Sequence, residues 1–570
     1  MPERTESAPG SSGAPEAADP FAARVPAAVA ERFRAEGWWR DTSVLHDLLR
    51  TAAERPDAPA IVAFSADEGR TTVVRYAELA CHVRRFGAAL ASLGVRCGDR
   101  VAFQMPSRWE ATALTLACCW AGAVAVPLLP TLRARDVERA LAAARAQVCV
   151  TVGSWNGYDC AAALGEVSSR LPWLRHVAVL GGHVPAGAID FADYFIRTPH
   201  EERAAAVPPL PSGADLDRAC LLLFSCGPDG ERTMVLHTEN TLYAGCGGPA
   251  SALHRGWAAG DVFCTSYSIT GPAGVRYCLW GPILAGGTGV YSDTWSPAGC
   301  LELMSSASVT QAFLPADLIQ QLVAEQRRRP RSLPMLRFIM GDSLSGLDGL
   351  IREVKRYLVP GVRSCWGITE VGMGFRTRED DGCGWAARSD GTPLAGLETD
   401  LVPVPGSDGV FRLRVRGAHL CLGYGRPGAG PDSAFHETWR HGDGWLDTGD
   451  LVREDGRGGI RLVRRAIRRI DGAALVPAAE VEGEIARHPG VREVAVVGYR
   501  DGRGQQRACA VVVPSGDRCP TLPELVGVLT DRGMTHWYLP TRLMEFGPAL
   551  PREGNGAVRY ELLRALVEAG

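Results

Sequence analysis

Residues 220–242 read C-L-L-L-F-S-C-G-P-D-G-E-R-T-M-V-L-H-T-E-N-T-L. The apolar run 220–224 predicts a buried strand, which breaks into a loop of small residues holding Ser225, Gly227, Pro228 and Gly230. A strand that opens into a glycine-containing loop is a place where backbone N–H groups can surround a phosphate. The segment is not G-x-x-x-x-G-K-[ST] and no helix cap is evident. On composition alone a plain turn therefore stands beside the phosphate-binding reading.

Around this stretch strands and helices alternate. Upstream, a strand is predicted at 60–64. A helix follows whose apolar residues Tyr76, Leu79, Val83, Phe86, Leu90 and Leu93 recur every three or four positions and stop at Gly94. Strands at 100–104, 123–127 and 147–152 enclose helices at 109–120 and 134–144. Downstream the pattern continues through 262–267, 279–284 and 290–291, a helix at 316–325 and a strand at 336–340. Such alternation specifies a parallel sheet covered on both faces. Residues 409–416 alternate strictly, as a half-exposed antiparallel strand does. The last hundred residues form a separate α+β unit, with helices near 478–487, 522–531 and 559–568 and strands at 493–499 and 507–513. Trp38 and Trp39 mark the start of packed structure, and residues 1–33 read as a disordered tail.

Composition narrows the function. A chain of 570 residues needs at least two domains. Its 61 Lys and Arg against 64 Asp and Glu leave a net charge of −3, which gives no drive toward nucleic acid or an acidic membrane surface. No run of 18 apolar residues and no signal-like apolar N-terminus is found, so a soluble cytoplasmic protein is expected. Seventeen cysteines without C-x-x-C pairs suit buried thiols in a reducing compartment. Arg327, Arg328 and Arg329 read as a solvated helix end. Lys355 is the sole lysine, and arginine supplies the rest of the basic residues. No mechanism that requires a lysine elsewhere can operate.

The loop at Ser225 to Gly230, followed by Val235, Leu236, His237 and Thr238, resembles the phosphate loop of the adenylate-forming superfamily: acyl-CoA synthetases, peptide-synthetase adenylation domains and luciferases. That loop typically reads T-S-G-T-T-G-x-P-K-G. The resemblance also rests on G-W-W-R-D, A-E-R-P-D-A-P-A, Y-A-E-L, G-D-R-V-A and A-G-A-V-A-V-P-L, and covers nearly the whole chain after about residue 36. It points above all to ligases for aryl and alicyclic carboxylic acids. The implied fold is a large α/β N-terminal domain, 34–464, of parallel-rich sheets covered by helices with a small β-barrel-like part. A small mobile α+β lid, 465–570, follows. The implied activity joins a carboxylic acid to ATP as an acyl-adenylate, after which a thiol, usually coenzyme A, takes the acyl group.

Several implied parts are retained. Trp366-Gly367-Ile368-Thr369-Glu370 matches Y-G-x-T-E, so that Trp366 would stack on adenine, Thr369 would bond the α-phosphate and Glu370 would hold Mg²⁺. Read without the resemblance, it is a strand end with a buried tryptophan. Asp450 matches the ribose-binding aspartate, and Arg464 or Arg465 is either the arginine near the ribose or an exposed strand charge. Ser225, Gly227, Gly230 and Arg232 would line the phosphates. Ser268, where an acid-binding histidine is common, and Gly341 hint at a compact apolar pocket. His237 is expected to be structural.

The departures are heavier. Thr233 replaces the loop lysine, and Ala557 stands where a lysine bridges the acyl carboxylate and the α-phosphate. Removing one preorganised transition-state donor costs ~3–4 kcal/mol, a hundred- to a thousand-fold in rate. Pro228 removes a backbone N–H, Asp229 adds negative charge, and Arg232 is the available substitute cation. In the hinge, Ile467 stands near the usual aspartate, while Asp471 and Ala473 flank the retained Gly472, which makes coenzyme A capture doubtful. Three readings follow. In one, adenylation is crippled, ATP/AMP and magnesium are held weakly, and the protein binds an acyl or polyketide-like intermediate in natural-product biosynthesis, assisting cyclisation or transfer with a carrier protein or pathway enzyme. In the second it is a working ATP-dependent acid–CoA ligase. A purely structural module is the third.

Overall fold

The computed structural model describes residues 21, 23–202, 209–226, 230, 232–246, 257–378, 380–382, 384–425, 436–438, 444–465, 470, 476–501, 506–516, 518–552 and 558–570. Among them, two nine-stranded sheets carry the large domain. One has at its centre Thr288–Ser292, Val262–Thr265, Gln311–Phe313, Phe338–Asp342 and Gly361–Ile368, all paired in parallel. The other places Ala219–Cys226 beside Val124–Leu128, Arg100–Gln104, Val148–Val152 and His176–Leu180, also in parallel. Antiparallel strands are added toward the edges, so both sheets are mixed. The order agrees with the alternation in the sequence.

Helices Tyr76–Ser92 and Trp109–Ala121 belong to the largest core cluster, which draws on strands of both sheets. Every residue from Glu110 to Trp120 is buried, as expected of a helix that is apolar all round. The apolar run 279–284 is helical, within Val275–Trp280 and Gly281–Ala285. A short apolar run cannot by its period tell a buried strand from a buried helix, and here Pro282 favours the helix start.

The packed chain begins earlier than Trp38. Helix Ala27–Ala35 overlaps the segment expected as a tail, and buries Ala30 and Phe33, the latter against Trp39 with ring centroids 5.1 Å apart. Two apolar anchors suffice, and the Ala- and Pro-rich context hid them. Residues 1–20 lie outside the described residues.

A four-stranded antiparallel sheet of Leu397–Pro403, Phe411–Gly417, Leu446–Glu454 and Ile460–Arg464 closes the large domain. The smaller C-terminal unit pairs Val491–Arg500 with Gln506–Pro514 antiparallel and the latter with Arg542–Glu545 in parallel. Helices Ala478–Ile485, Leu522–Asp531 and Tyr560–Ala569 complete it. Among the described residues no helix is long and apolar enough to cross a membrane, and the described cysteines are free thiols.

Candidate nucleotide and acyl site

The carboxyl ends of parallel strands line up along one rim, where ligands are received in open α/β sheets. Ser225 and Cys226 come from the end of one sheet; Asp342 and Trp366 to Ile368 come from the other. Between them lies a cavity of ≈ 920 Å³, walled by Trp257, Tyr267, Trp295, Phe313 and Met373 and reached from the small domain by Trp537 and Tyr538.

The loop strand returns at once as a second strand, Arg232–Thr238, antiparallel to the first, with Ser225 opposite Thr233 and Cys226 opposite Arg232. No helix follows the loop directly; helix Glu239–Gly245 starts only after this strand, capped by Thr238. Ser225 is 3 % exposed, lines the cavity, and its hydroxyl has no hydrogen-bond partner. Thr233 is buried beside it. Arg232 does not project freely toward the loop. Its guanidinium donates to Asp136 at 2.9 Å and to Glu480 of the small domain at 3.4 Å, 5.8 Å from the Tyr538 ring. Burial opposes its charge, but Tyr538 and Asp136 outweigh it, and its pKa is raised. Asp136, with no exposed surface, also accepts from the Thr535 hydroxyl of the small domain. The Gly230 carbonyl accepts from Ala479 N–H at 3.4 Å, so the loop and the small domain meet directly.

On the opposite wall, fully buried Trp366 donates its indole N–H to Asp450 Oδ2 at 2.8 Å. Arg465 Nη1 donates to the same oxygen at 3.0 Å, and its Nη2 reaches both oxygens of Asp342 at 2.9 and 2.8 Å. Burial pushes the Asp342 carboxyl up, and Arg465 only partly restores it. Gly367 gives its carbonyl to Arg465, and a Cβ there would lie 2.3 Å from Gly372 O, which no side chain tolerates.

Thr369 and Glu370 are both buried. The Thr369 carbonyl accepts from Arg276 Nη2 at 2.9 Å, and that nitrogen also lies 2.7 Å from His237 Nε2. His237 Nδ1 is 3.0 Å from the Thr241 hydroxyl. One proton arrangement keeps both Arg276 bonds: Arg276 donates to Thr369 O and His237 Nε2, and His237 donates through Nδ1 to Thr241, which leaves the 2.9 Å approach of His237 Nε2 to Thr369 O without a proton. Burial, then the Arg276 charge, holds the imidazole pKa well below its usual value and so keeps it neutral. His237 is thus placed as a strut beneath Thr369.

Ser268 lines the cavity and hydrogen-bonds Thr270 at 2.8 Å. Gly341 sits one residue before the cavity-lining Asp342, packed so closely that a Cβ would meet Leu344 at 2.6 Å. The Arg464 side chain, Gly227, Pro228, Asp229, Ile467, Asp471, Gly472, Ala473 and Ala557 lie outside the described residues. Sequence reasoning missed Asp136, Asp342 and Arg276. Arg276 carried a signal, being the one charge in the apolar run 271–285, where solvation is impossible.

The AMP-binding enzyme family profile matches residues 48–424, and that of the AMP-binding enzyme C-terminal domain matches 480–557. The chain belongs to the AMP-binding enzyme family. A 2-hydroxy-7-methoxy-5-methyl-1-naphthoate–CoA ligase of Streptomyces carzinostaticus is 28 % identical over 553 residues, 94 % of this chain and 95 % of that protein. A salicyl-AMP ligase / salicyl-S-ArCP synthetase of Mycobacterium tuberculosis is 30 % identical over 550 residues, 94 % of this chain and 92 % of its own length. In structure, the amide bond synthetase McbA of Marinactinospora thermotolerans superposes with a TM-score of 0.74 at 22 % identity, covering 92 % of this chain and all of that one. The two-domain order of the family, sheets first and small α+β unit last, is the order seen here.

Proposed function

We propose that this family member holds an aryl or alicyclic acyl group in its large cavity and retains a nucleotide site, with adenylation slow or absent. Its role would be to bind an acyl or polyketide-like intermediate of a biosynthetic pathway and assist its cyclisation or handover to a carrier protein or pathway enzyme. The observation that carries this reading is the engagement of Arg232. Arg232, the substitute cation beside the lost loop lysine, is spent on Asp136 and Glu480, and Thr233 offers no charge in its place. On the same reading coenzyme A is captured poorly, since Asp471 and Ala473 alter the hinge.

The unpartnered Ser225 hydroxyl fits a phosphate oxygen, and Glu370 is the oxygen ligand that would hold magnesium, which would neutralise phosphate charge there. Asp450 and Arg465 would receive the ribose, exchanging part of their mutual contact for it. These features, with relatives named as aryl-acid ligases, favour the second reading, a working ATP-dependent acid–CoA ligase.

ATP–pyrophosphate exchange with a panel of aryl and alicyclic acids, run beside calorimetric ATP binding, separates the two. Nucleotide binding with little exchange is expected. Brisk exchange by the unmodified protein would overturn the first reading in favour of the second.

A further inference from the structure

Arg276 is 6 % exposed, lies in the helical turn Val275–Trp280 and forms part of the cavity wall. Its side chain bonds only neutral groups: Pro272 O at 3.2 Å, Thr369 O and His237 Nε2. No ion pair joins it to a described carboxylate, and its Nε–H has no partner. Two of the five N–H donors of a guanidinium are therefore unused. A buried charge without a close counterion is costly, and Glu370 acts on this one only from beyond salt-bridge distance. The nitrogen is flanked by glycines. A Cβ on Gly372 would lie 2.8 Å from Nε and one on Gly245 3.8 Å from it, and both glycines line the cavity. Any side chain at Gly372 would cover this edge.

We propose that Arg276 is the carboxylate receptor of the cavity, so that the ligand it selects is a free acid anion and not its thioester or another neutral derivative. The receptor supplies from the acyl wall a positive charge that is missing at Thr233 and Ala557. Its spare Nη1 proton is left for one oxygen of the ligand carboxylate, while its Nη2 stays committed to Thr369 and His237. The inference rests on the reading that the cavity holds an acyl group, but does not depend on whether ATP is turned over.

The test uses the full-length protein without nucleotide, and follows quenching of tryptophan fluorescence on titration with 1-naphthoate and with neutral, near-isosteric 1-naphthamide. Trp257, Trp295, Trp366 and Trp537 line the cavity and report occupancy. The unmodified protein should bind naphthoate at least tenfold more tightly than naphthamide. Arg276→Met should abolish that preference while leaving naphthamide affinity within twofold, and Arg276→Lys should keep part of it. Equal affinity of the unmodified protein for the two ligands, or no binding of naphthoate, overturns the proposal without recourse to any variant. So does an unchanged preference in Arg276→Met. Pyrophosphate exchange plays no part in this readout, so its failure leaves the ligase question where it stood.

Discussion

The Trp366 indole N–H and Arg465 Nη1 share one carboxylate oxygen of Asp450, at 2.8 and 3.0 Å, and Asp450 itself has no exposed surface. Asp450 thus serves the fold and the candidate ribose site together. Asp450→Asn removes the charge between a buried arginine and an indole donor while nearly preserving shape. Breaking such a buried pair should cost about 3 kcal/mol, read as a lower urea midpoint at unchanged m, and should weaken AMP binding by at least tenfold in calorimetry. Unaltered AMP affinity would remove Asp450 from the nucleotide site.

Asp136 holds the two domains through Arg232 and Thr535, with Arg135–Glu484 at 2.5 Å beside it. Asp136→Asn keeps the hydrogen-bonding shape but loses the charge facing Arg232. Proteolysis within the connecting segment 465–477 should become several-fold faster, with the core strands still protected. Identical cleavage rates would show that the contact contributes nothing to docking.

His237 gives a pH signature. Its folded pKa lies well below the unfolded value of about 6.5, so below that value the unfolded chain binds a proton which the folded protein refuses. Stability therefore falls as pH drops from about 6.5 toward the folded pKa. From this group alone the loss by pH 5.5 is on the order of 1 kcal/mol. His237→Gln should be less stable at pH 7.5 but lose about that much less between pH 7.5 and 5.5 in urea titrations. His82, also depressed by burial and by Arg85, contributes to the slope in both proteins and cancels in the comparison.

Restoring charge should restore chemistry. Thr233→Lys combined with Ala557→Lys should raise pyrophosphate exchange a hundred-fold or more, since each preorganised donor is worth ~3–4 kcal/mol at the transition state. Exchange that stays at the starting level in a folded double variant would show that the block lies elsewhere.

Much of this was readable from the chain. The strand ending at Ile368 followed from a short motif, and helix Tyr76–Ser92 from its apolar spacing, because both depend on neighbours within a few turns. Arg232 was singled out as the substitute cation, but not its fate. Its partners stand 96 and 248 residues away, and no local pattern encodes a contact across that span. Arg276 was passed over because its run, V-R-Y-C-L-W, reads as core, and only the packed structure reveals that its Nε–H has no partner. Helix Ala27–Ala35 was lost for the opposite reason, a composition too bland for two anchoring side chains to register.

One guanidinium, that of Arg232, stands both where an anion would arrive and where the second domain is fastened. Those two events must then be linked with equal strength in both directions. An anion that drew Arg232 away would loosen the docked domain, and whatever braced that domain would raise the concentration of anion needed to enter. Occupancy of the loop and release of the small domain would then be a single equilibrium observed from two ends.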